Sequence, residues 1–295
     1  MTLISLLIVM ALERVTSKAP EWHVHALVGH YIQFLQSRSW FSQTASLLNV
    51  LLIIAAPAVL LILIDHLINN GFFTFLLQLL TLWVCLGCPI TRKNYKRYLQ
   101  AATRKDFEAC SLHSISLGNE DGDLTKVGRQ LVFINYRQYA AVIIAFVFFG
   151  VPGVVFYSIA KELQIFMHKM SSCNPDNMLE EIDDEVLGEC KKDNAELAID
   201  KVMHVIDWVP VRLTGLGFLI VGHFSRAFSL WLPLLVDTKT TSKDVLVSVA
   251  VAAEEVEPDT QNCIDEPCIL VRLVKRNVMF MLVGVSLLTM VGAVA

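Results

Sequence analysis

Four stretches of this chain carry no charge at all: Leu47–Ile64, Phe72–Cys88, Tyr139–Ala160 and Val278–Ala295. A bilayer core of ~30 Å takes roughly 20 apolar residues as a helix, and backbone groups in hydrocarbon must be satisfied within the segment. Leu47–Ile64, Tyr139–Ala160 and Val278–Ala295 meet that requirement. Phe72–Cys88 is slightly short, but it follows the first stretch after only Asp65–Gly71, so the two form a transmembrane helical hairpin. Of the 295 residues, 55% are hydrophobic and 18% charged, against about half and about a quarter in soluble domains. The excess sits in the blocks, which excludes a disordered chain, a collagen and a coiled coil. Lys and Arg number 24 against 28 Asp and Glu, a net charge of -4. That balance offers no attraction to a polyanion and excludes a nucleic-acid binder of the basic type. The fold class that follows is all-α: a polytopic integral membrane protein, one membrane domain over 1–295. It has four to five transmembrane helices plus interfacial amphipathic helices, and the lipid bilayer is its first partner.

Two segments are ambiguous. Thr2–Leu12 is apolar but stops at Glu13-Arg14, too short to span. It has neither a basic n-region nor a small-residue cleavage site, so it is not a secretory signal. Leu213–Val236 is long enough but contains His223 and Arg226. It either crosses with Arg226 facing protein or lies along the surface.

Orientation follows from the basic residues. Arg92, Lys93, Lys96, Arg97, Arg104 and Lys105 form the densest basic cluster, so the loop 89–138 is cytoplasmic, with an amphipathic helix over Tyr98–Ala109. The hairpin tip near Asn69–Gly71 is then outside and Arg14–Gln43 inside. Loop 161–201, with its acidic stretch from Asp176 to Glu189, is outside. Arg272, Lys275 and Arg276 place the polar loop 237–277 inside, before the last helix. That bookkeeping needs Leu213–Val236 as a fifth crossing. The rival has four crossings and everything from Lys161 to Asn277 outside.

Seven cysteines are too few and too scattered for a disulfide scaffold. Cys85 and Cys88 have CxxC spacing but no second pair, and small buried cysteines explain them. Cys173 and Cys190 share the outer loop, where an oxidising compartment permits a bridge; sequence alone leaves it open. His23, His25 and His30 do not share a helix face, and an interfacial segment anchored by Trp22 accounts for them better than a metal.

No nucleotide, hydrolase or metalloprotease motif is present, so no catalytic residue, metal ligand or cofactor is assigned. Three constellations stand out. In Asp207-Trp-Val-Pro-Val-Arg-Leu-Thr-Gly215, Asp207 and Arg212 flank Pro210. Proline removes a helical hydrogen bond, and an Asp–Arg pair makes burial of both tolerable. This is either a kinked helix with a pinned ion pair or a site for an anionic group. In Phe133–Tyr139, Asn135 stands at a helix start and Arg137 on the cytoplasmic side. Gly150-Val-Pro-Gly153 marks a kink inside a span. Glu13 and Arg14, closing the first apolar segment, complete the candidate ligand-binding or structural set.

On these residues the chain resembles the AmpE family. The likeness rests on Phe133–Tyr139, Ala195–Gly215, Glu13-Arg14 and Tyr98-Leu-Gln-Ala-Ala-Thr-Arg-Lys-Asp106. It extends over nearly the whole chain, with Asp207–Leu213 its most specific part. The resemblance implies a multi-pass protein of the bacterial inner membrane that modulates the cell-wall-damage signal controlling β-lactamase expression. The molecular activity is not given by the resemblance; the working expectation is recognition of a cell-wall-derived or lipid-linked ligand near Asp207–Arg212, passed to a cytoplasmic signalling partner. The same region is similar, more distantly, to the CbiB-type proteins of cobalamin biosynthesis. There Asp207–Leu213 matches Asn-Trp-Ile-Pro-x-Arg-Leu, while Phe133–Tyr139 and Lys161–Phe166 depart from the polar pattern. Two alternatives stay open: an amide-forming transferase of that type, or an accessory transport subunit.

Overall fold

The computed structural model describes residues 2–16, 18, 22–38, 47–68, 70–119, 122–172, 194–254 and 264–292. Among them are twelve α-helices and no strand. The acidic stretch, Cys173, Cys190 and Cys263 lie outside the described residues.

The helices are α1 (Thr2–Val15), α2 (Val24–Ser37), α3 (Leu47–Ile68), α4 (Gly71–Cys85), α5 (Pro89–Thr103) and α6 (Phe107–Ser116), followed by α7 (Val127–Asn135), α8 (Ala141–Ser172), α9 (Asn194–Val221), α10 (Phe224–Val236), α11 (Ser242–Ala253) and α12 (Asp265–Met290). Four helical runs are long and apolar enough to cross a membrane: Leu47–Ile68, Gly71–Thr103, Leu124–Lys169 and Glu196–Val221. Leucines and valines of α3 such as Leu52, Val59 and Leu63 stand exposed, as they must where lipid is the solvent. The protein is a multi-pass, all-α membrane protein.

Two expected helices are drawn differently. The run Leu213–Val236 is not one helix. α9 begins far earlier, carries Asp207–Arg212 in its interior and ends at Val221. The backbone N–H of His223 then turns to the Ala253 carbonyl at 2.8 Å. α10 has 13 residues, about 20 Å long at 1.5 Å each and too short to span. Nor is Tyr98–Ala109 continuous. Lys105 takes a left-handed φ of 58°, and the Asp106 carboxylate accepts from the Ala109 N–H at 3.1 Å to cap a new helix, α6. The expected last span from Val278 is the second half of α12, which is not among the four apolar runs.

The chain divides into two compact units, each discontinuous in sequence. The first comprises 1–18, 86–147 and 207–295. In it α7 packs on α12 and α11, α10 on α11, and α5 on α6. Its core joins Tyr98, Ala101, Cys110, Leu131 and Val271. α7 comes close to α12 at Gly128, where an added Cβ would lie 3.1 Å from the Pro267 nitrogen. Arg129 ties the same helices through Glu266 at 3.2 Å.

The second unit comprises 19–85 and 148–206. The hairpin α3–α4 closes with Thr74 donating to Asp65 at 2.7 Å. Trp22 stacks at a tilt on Trp83, centroids 5.8 Å apart. The three clustered histidines part ways: His25 meets Glu162 at 2.9 Å and His30 donates to the Ala26 carbonyl at 2.7 Å, while His23 precedes α2. α8 breaks where the sequence places a kink, with Gly150 at φ 67° and ψ -151°.

Candidate anion-binding cleft

Between α7 and α8 the chain makes a π-helical turn, Tyr136–Ala140. Such turns insert an extra residue, re-aim the side chains that follow and recur at functional sites. Here two tyrosines of one turn serve two different buried carboxylates.

Tyr139 donates to Glu13 Oε1 at 3.0 Å, and Arg92 of α5 bonds the same oxygen through Nη2. Arg92 Nη2 also lies 3.1 Å from the Tyr139 hydroxyl, and its Nη1 reaches the Glu13 carbonyl at 3.4 Å. Glu13 is 5% exposed. A carboxylate so deep is stable only when paired and hydrogen-bonded, and this one is both. Gly87 makes room for it. Its φ is +74°, and a Cβ there would come within 3.0 Å of the Tyr139 hydroxyl and closer still to Glu13 Oε1. Gly87 N–H bonds the Gln138 carbonyl at 3.2 Å, and the Gln138 amide donates to Thr91 at 3.0 Å.

This triad forms part of the wall of a cleft of about 590 Å³. Arg14, Lys96 and Lys275 bring three further cations to it, exposed and in no ion pair among the described residues. Val274, Val278 and Met279 of α12 supply an apolar side. Asn135 also faces the cleft, its amide donating back to the Leu131 carbonyl at 2.8 Å. With Arg92 matched by Glu13, three positive charges remain without a partner among the described residues. The arrangement suits an anion attached to an apolar body.

Tyr136, by contrast, donates to Asp207 Oδ1 at 2.7 Å, and Arg137 Nη2 stands 3.7 Å from the other oxygen. Asp207 is 1% exposed. Arg137 also covers the Phe133 ring, 4.7 Å from its centroid. The expected Asp207–Arg212 pair is not formed. Arg212 turns instead to backbone carbonyls: Trp208 at 3.2 Å, Leu234 at 3.2 Å, and Asp237. The latter two end α10, so Arg212 satisfies the carbonyls that a helix C-terminus leaves orphaned. Its guanidinium lies 4.6 Å from the Trp208 ring centroid, and the Trp231 indole N–H donates to its carbonyl at 3.3 Å. Asp237, beyond α10, has its carboxyl held below the usual carboxylate range by the Thr240 hydroxyl and the Lys239 N–H. α9 continues through Pro210.

Of the seven candidate residues, the structure gathers Glu13, Arg14 and Asn135 at the cleft. It assigns Arg137 and Asp207 to a buried pair and Arg212 to a helix end. Arg92, Tyr139, Lys96 and Lys275 are the cleft residues that sequence reasoning missed. Three of them appear in sequence only as topogenic cations, and nothing local links Arg92 to Glu13, 79 positions away.

The family described as "Regulatory signalling modulator protein AmpE" matches residues 1–295. The chain belongs to the AmpE family. It is 27% identical over 306 residues to Protein AmpE of Shigella flexneri, with 99% of each chain covered. No solved structure matches. The chain is thus a membrane protein of a family of regulatory signalling modulators. Glu13 and Arg14, on which part of the resemblance rests, both line this cleft, where the Glu13 carboxylate pairs with Arg92.

Proposed function

We propose that this protein resides in the bacterial inner membrane and modulates the signal that controls β-lactamase expression. It does so by binding an anionic cell-wall-derived or lipid-linked ligand in the cleft of Glu13, Arg92 and Tyr139. Occupancy is passed to a cytoplasmic partner. The observation that carries this reading is three cations, Arg14, Lys96 and Lys275, in no ion pair among the described residues and set beside an apolar helix side. Cations left over around a buried, satisfied triad favour an anionic headgroup, and the valines of α12 favour an acyl or prenyl chain next to it. The positive-inside pattern supports a cytoplasmic opening for the cleft. Asp207 and Arg212, the residues the sequence points to first, act here as supports.

The test uses a host with an inducible β-lactamase and this gene deleted. Deletion alters induction, and the wild-type chain restores it. The triple variant Arg14→Ala, Lys96→Ala, Lys275→Ala, at equal membrane abundance, leaves the defect in place. Full restoration by the triple variant removes the cleft from the mechanism.

A further inference from the structure

The second unit holds a cluster that the cleft reading does not use. Gln164 and His168 stand four residues apart on α8, and Glu196 and Asp200 four apart on α9, so each pair shares one helix face. The faces meet. His168 Nδ1 lies 2.8 Å from Glu196 Oε1, and its Nε2 lies 3.0 Å from Asp200 Oδ1. The Gln164 amide donates to that same Asp200 oxygen at 2.8 Å. The Glu196 side chain is only 4% exposed, while His168 is 43% exposed and open to exchange. One ligand atom from each of His168, Glu196 and Asp200 lies within 4.8 Å of the others. Ligand bonds of about 2.0–2.2 Å place ligand atoms within about 4.4 Å of one another, so the three groups converge by at most a few tenths of an ångström when an ion enters.

We propose that His168, Glu196 and Asp200 bind one first-row divalent transition metal ion, of which Zn²⁺ is the type, with Gln164 as a positioning residue that orients the Asp200 carboxylate. The donor set is one imidazole and two carboxylates. Imidazole selects transition ions over Mg²⁺ and Ca²⁺, and carboxylates complete a mixed N/O set. Two carboxylates and a neutral imidazole carry -2, which a dication cancels and a single proton halves. The exchange balances: the imidazolium gives up one proton, its freed lone pair bonds the metal, and one H⁺ leaves for each ion that enters a protonated site. His168 and Glu196 stand at the ends of two membrane-crossing runs, Leu124–Lys169 and Glu196–Val221. A bound ion clasps these ends together. The site is independent of the anion cleft, which lies in the other unit.

The test uses the full chain in detergent or nanodiscs, stripped with chelator and purified on a tag without histidine. Zn²⁺ is titrated by calorimetry in two buffers of different ionisation heat. The expected result is one Zn²⁺ per chain. Affinity drops at least tenfold in His168→Ala and in the near-isosteric Glu196→Gln, and less in Gln164→Ala. Co²⁺ in place of Zn²⁺ gives a visible d–d spectrum that His168→Ala abolishes. For the unmodified chain, Zn²⁺ shields His168 from diethyl pyrocarbonate, read by mass spectrometry, whether or not the variants fold. No Zn²⁺ binding, or no shielding of His168, overturns the proposal. So does binding that survives His168→Ala with unchanged affinity, which would place the ion on the acidic stretch from Asp176 to Glu189.

Discussion

Glu13 and Asp207 are both buried carboxylates of one unit, and each is held by a tyrosine of the same π-helical turn. Each also has an arginine beside it, Arg92 and Arg137 respectively. What surrounds them differs. Around Glu13 the chain leaves a cleft where Arg14, Lys96 and Lys275 have no ion pair among the described residues. Arg212, five residues beyond Asp207, is taken up by carbonyls at the end of α10. Buried polar pairs are costly, so a chain keeps them either to fix a packing arrangement or to poise a site. Surplus charge facing open space separates the second use from the first. The more conspicuous motif in the sequence is the supporting one.

Removing Arg212 should have the largest effect. Arg212→Ala leaves the Leu234 and Asp237 carbonyls without their charged donor and the Trp208 ring without its cation. The expected loss is about 2–4 kcal/mol, read as a lower thermal unfolding midpoint in detergent and lower membrane abundance. Ligand retained per folded molecule should not change. Loss of ligand at normal stability would make Arg212 a site residue and break the comparison.

Gly87→Ala comes next. A left-handed φ costs a non-glycine residue about 1–2 kcal/mol, and the new Cβ also displaces Glu13 and Tyr139. Both the unfolding midpoint and ligand retention should fall, whereas Arg212→Ala lowers only the first. An unchanged cleft in Gly87→Ala would show that Glu13 is not tightly placed.

Single changes at the exposed cations are expected to be the reverse of Arg212→Ala. Lys275→Ala and Lys96→Ala should stay within about 0.5 kcal/mol of wild type in stability. Each should weaken retention of an anionic lipid several-fold, with the difference shrinking as salt is raised. Equal ligand retention in both variants would count against the cleft.

The smallest effects are in pH dependence. Burial pushes Glu266 above the usual carboxylate range, and Arg129 opposes this only in part. With the folded value above the unfolded one, its stabilising contribution is present below the unfolded value and is lost as pH rises through the folded one. Asp237 has the opposite sign: its contribution is present above the unfolded value and is lost as pH falls through the lowered one. Unfolding midpoints between pH 3 and 7 should therefore gain from Glu266→Gln at the upper end. Asp237→Asn should lose there, since it removes the charge that its neighbours favour. The same sign for both would contradict these assignments.

Much of the fold is legible in the sequence because the bilayer imposes a coarse rule. Uncharged runs of the right length mark α3, α4 and α8, and Gly150-Val-Pro152 marks the break in α8. The extent of α9 is not legible, since hydropathy alone does not show that a helix starting at Asn194 passes through Asp207 and Arg212. Its end at Val221 depends on Ala253, which captures the His223 N–H from 30 positions away. The site is half legible. Glu13-Arg14 is visible as charge closing an apolar run; Asn135, expected at a helix start, instead ends α7 inside the continuous helical run Leu124–Lys169. Arg92 and Lys275 look like ordinary cations near membrane ends, because what sets them apart is the cleft that tertiary packing makes. The Asp207–Arg212 pair suggested by spacing loses to two better offers, Tyr136 with Arg137 for the acid and the α10 carbonyls for the base.

The central claim is that the unmatched cations of the cleft hold an anionic ligand. Native mass spectrometry of protein released directly from bacterial membranes tests it most directly, comparing wild type with the Arg14→Ala, Lys96→Ala, Lys275→Ala variant. Wild type should carry an anionic cell-wall-derived or lipid-linked adduct, and the triple variant should lose it while keeping the wild-type unfolding midpoint. An adduct retained in full by the triple variant, or none on wild type, would contradict the account.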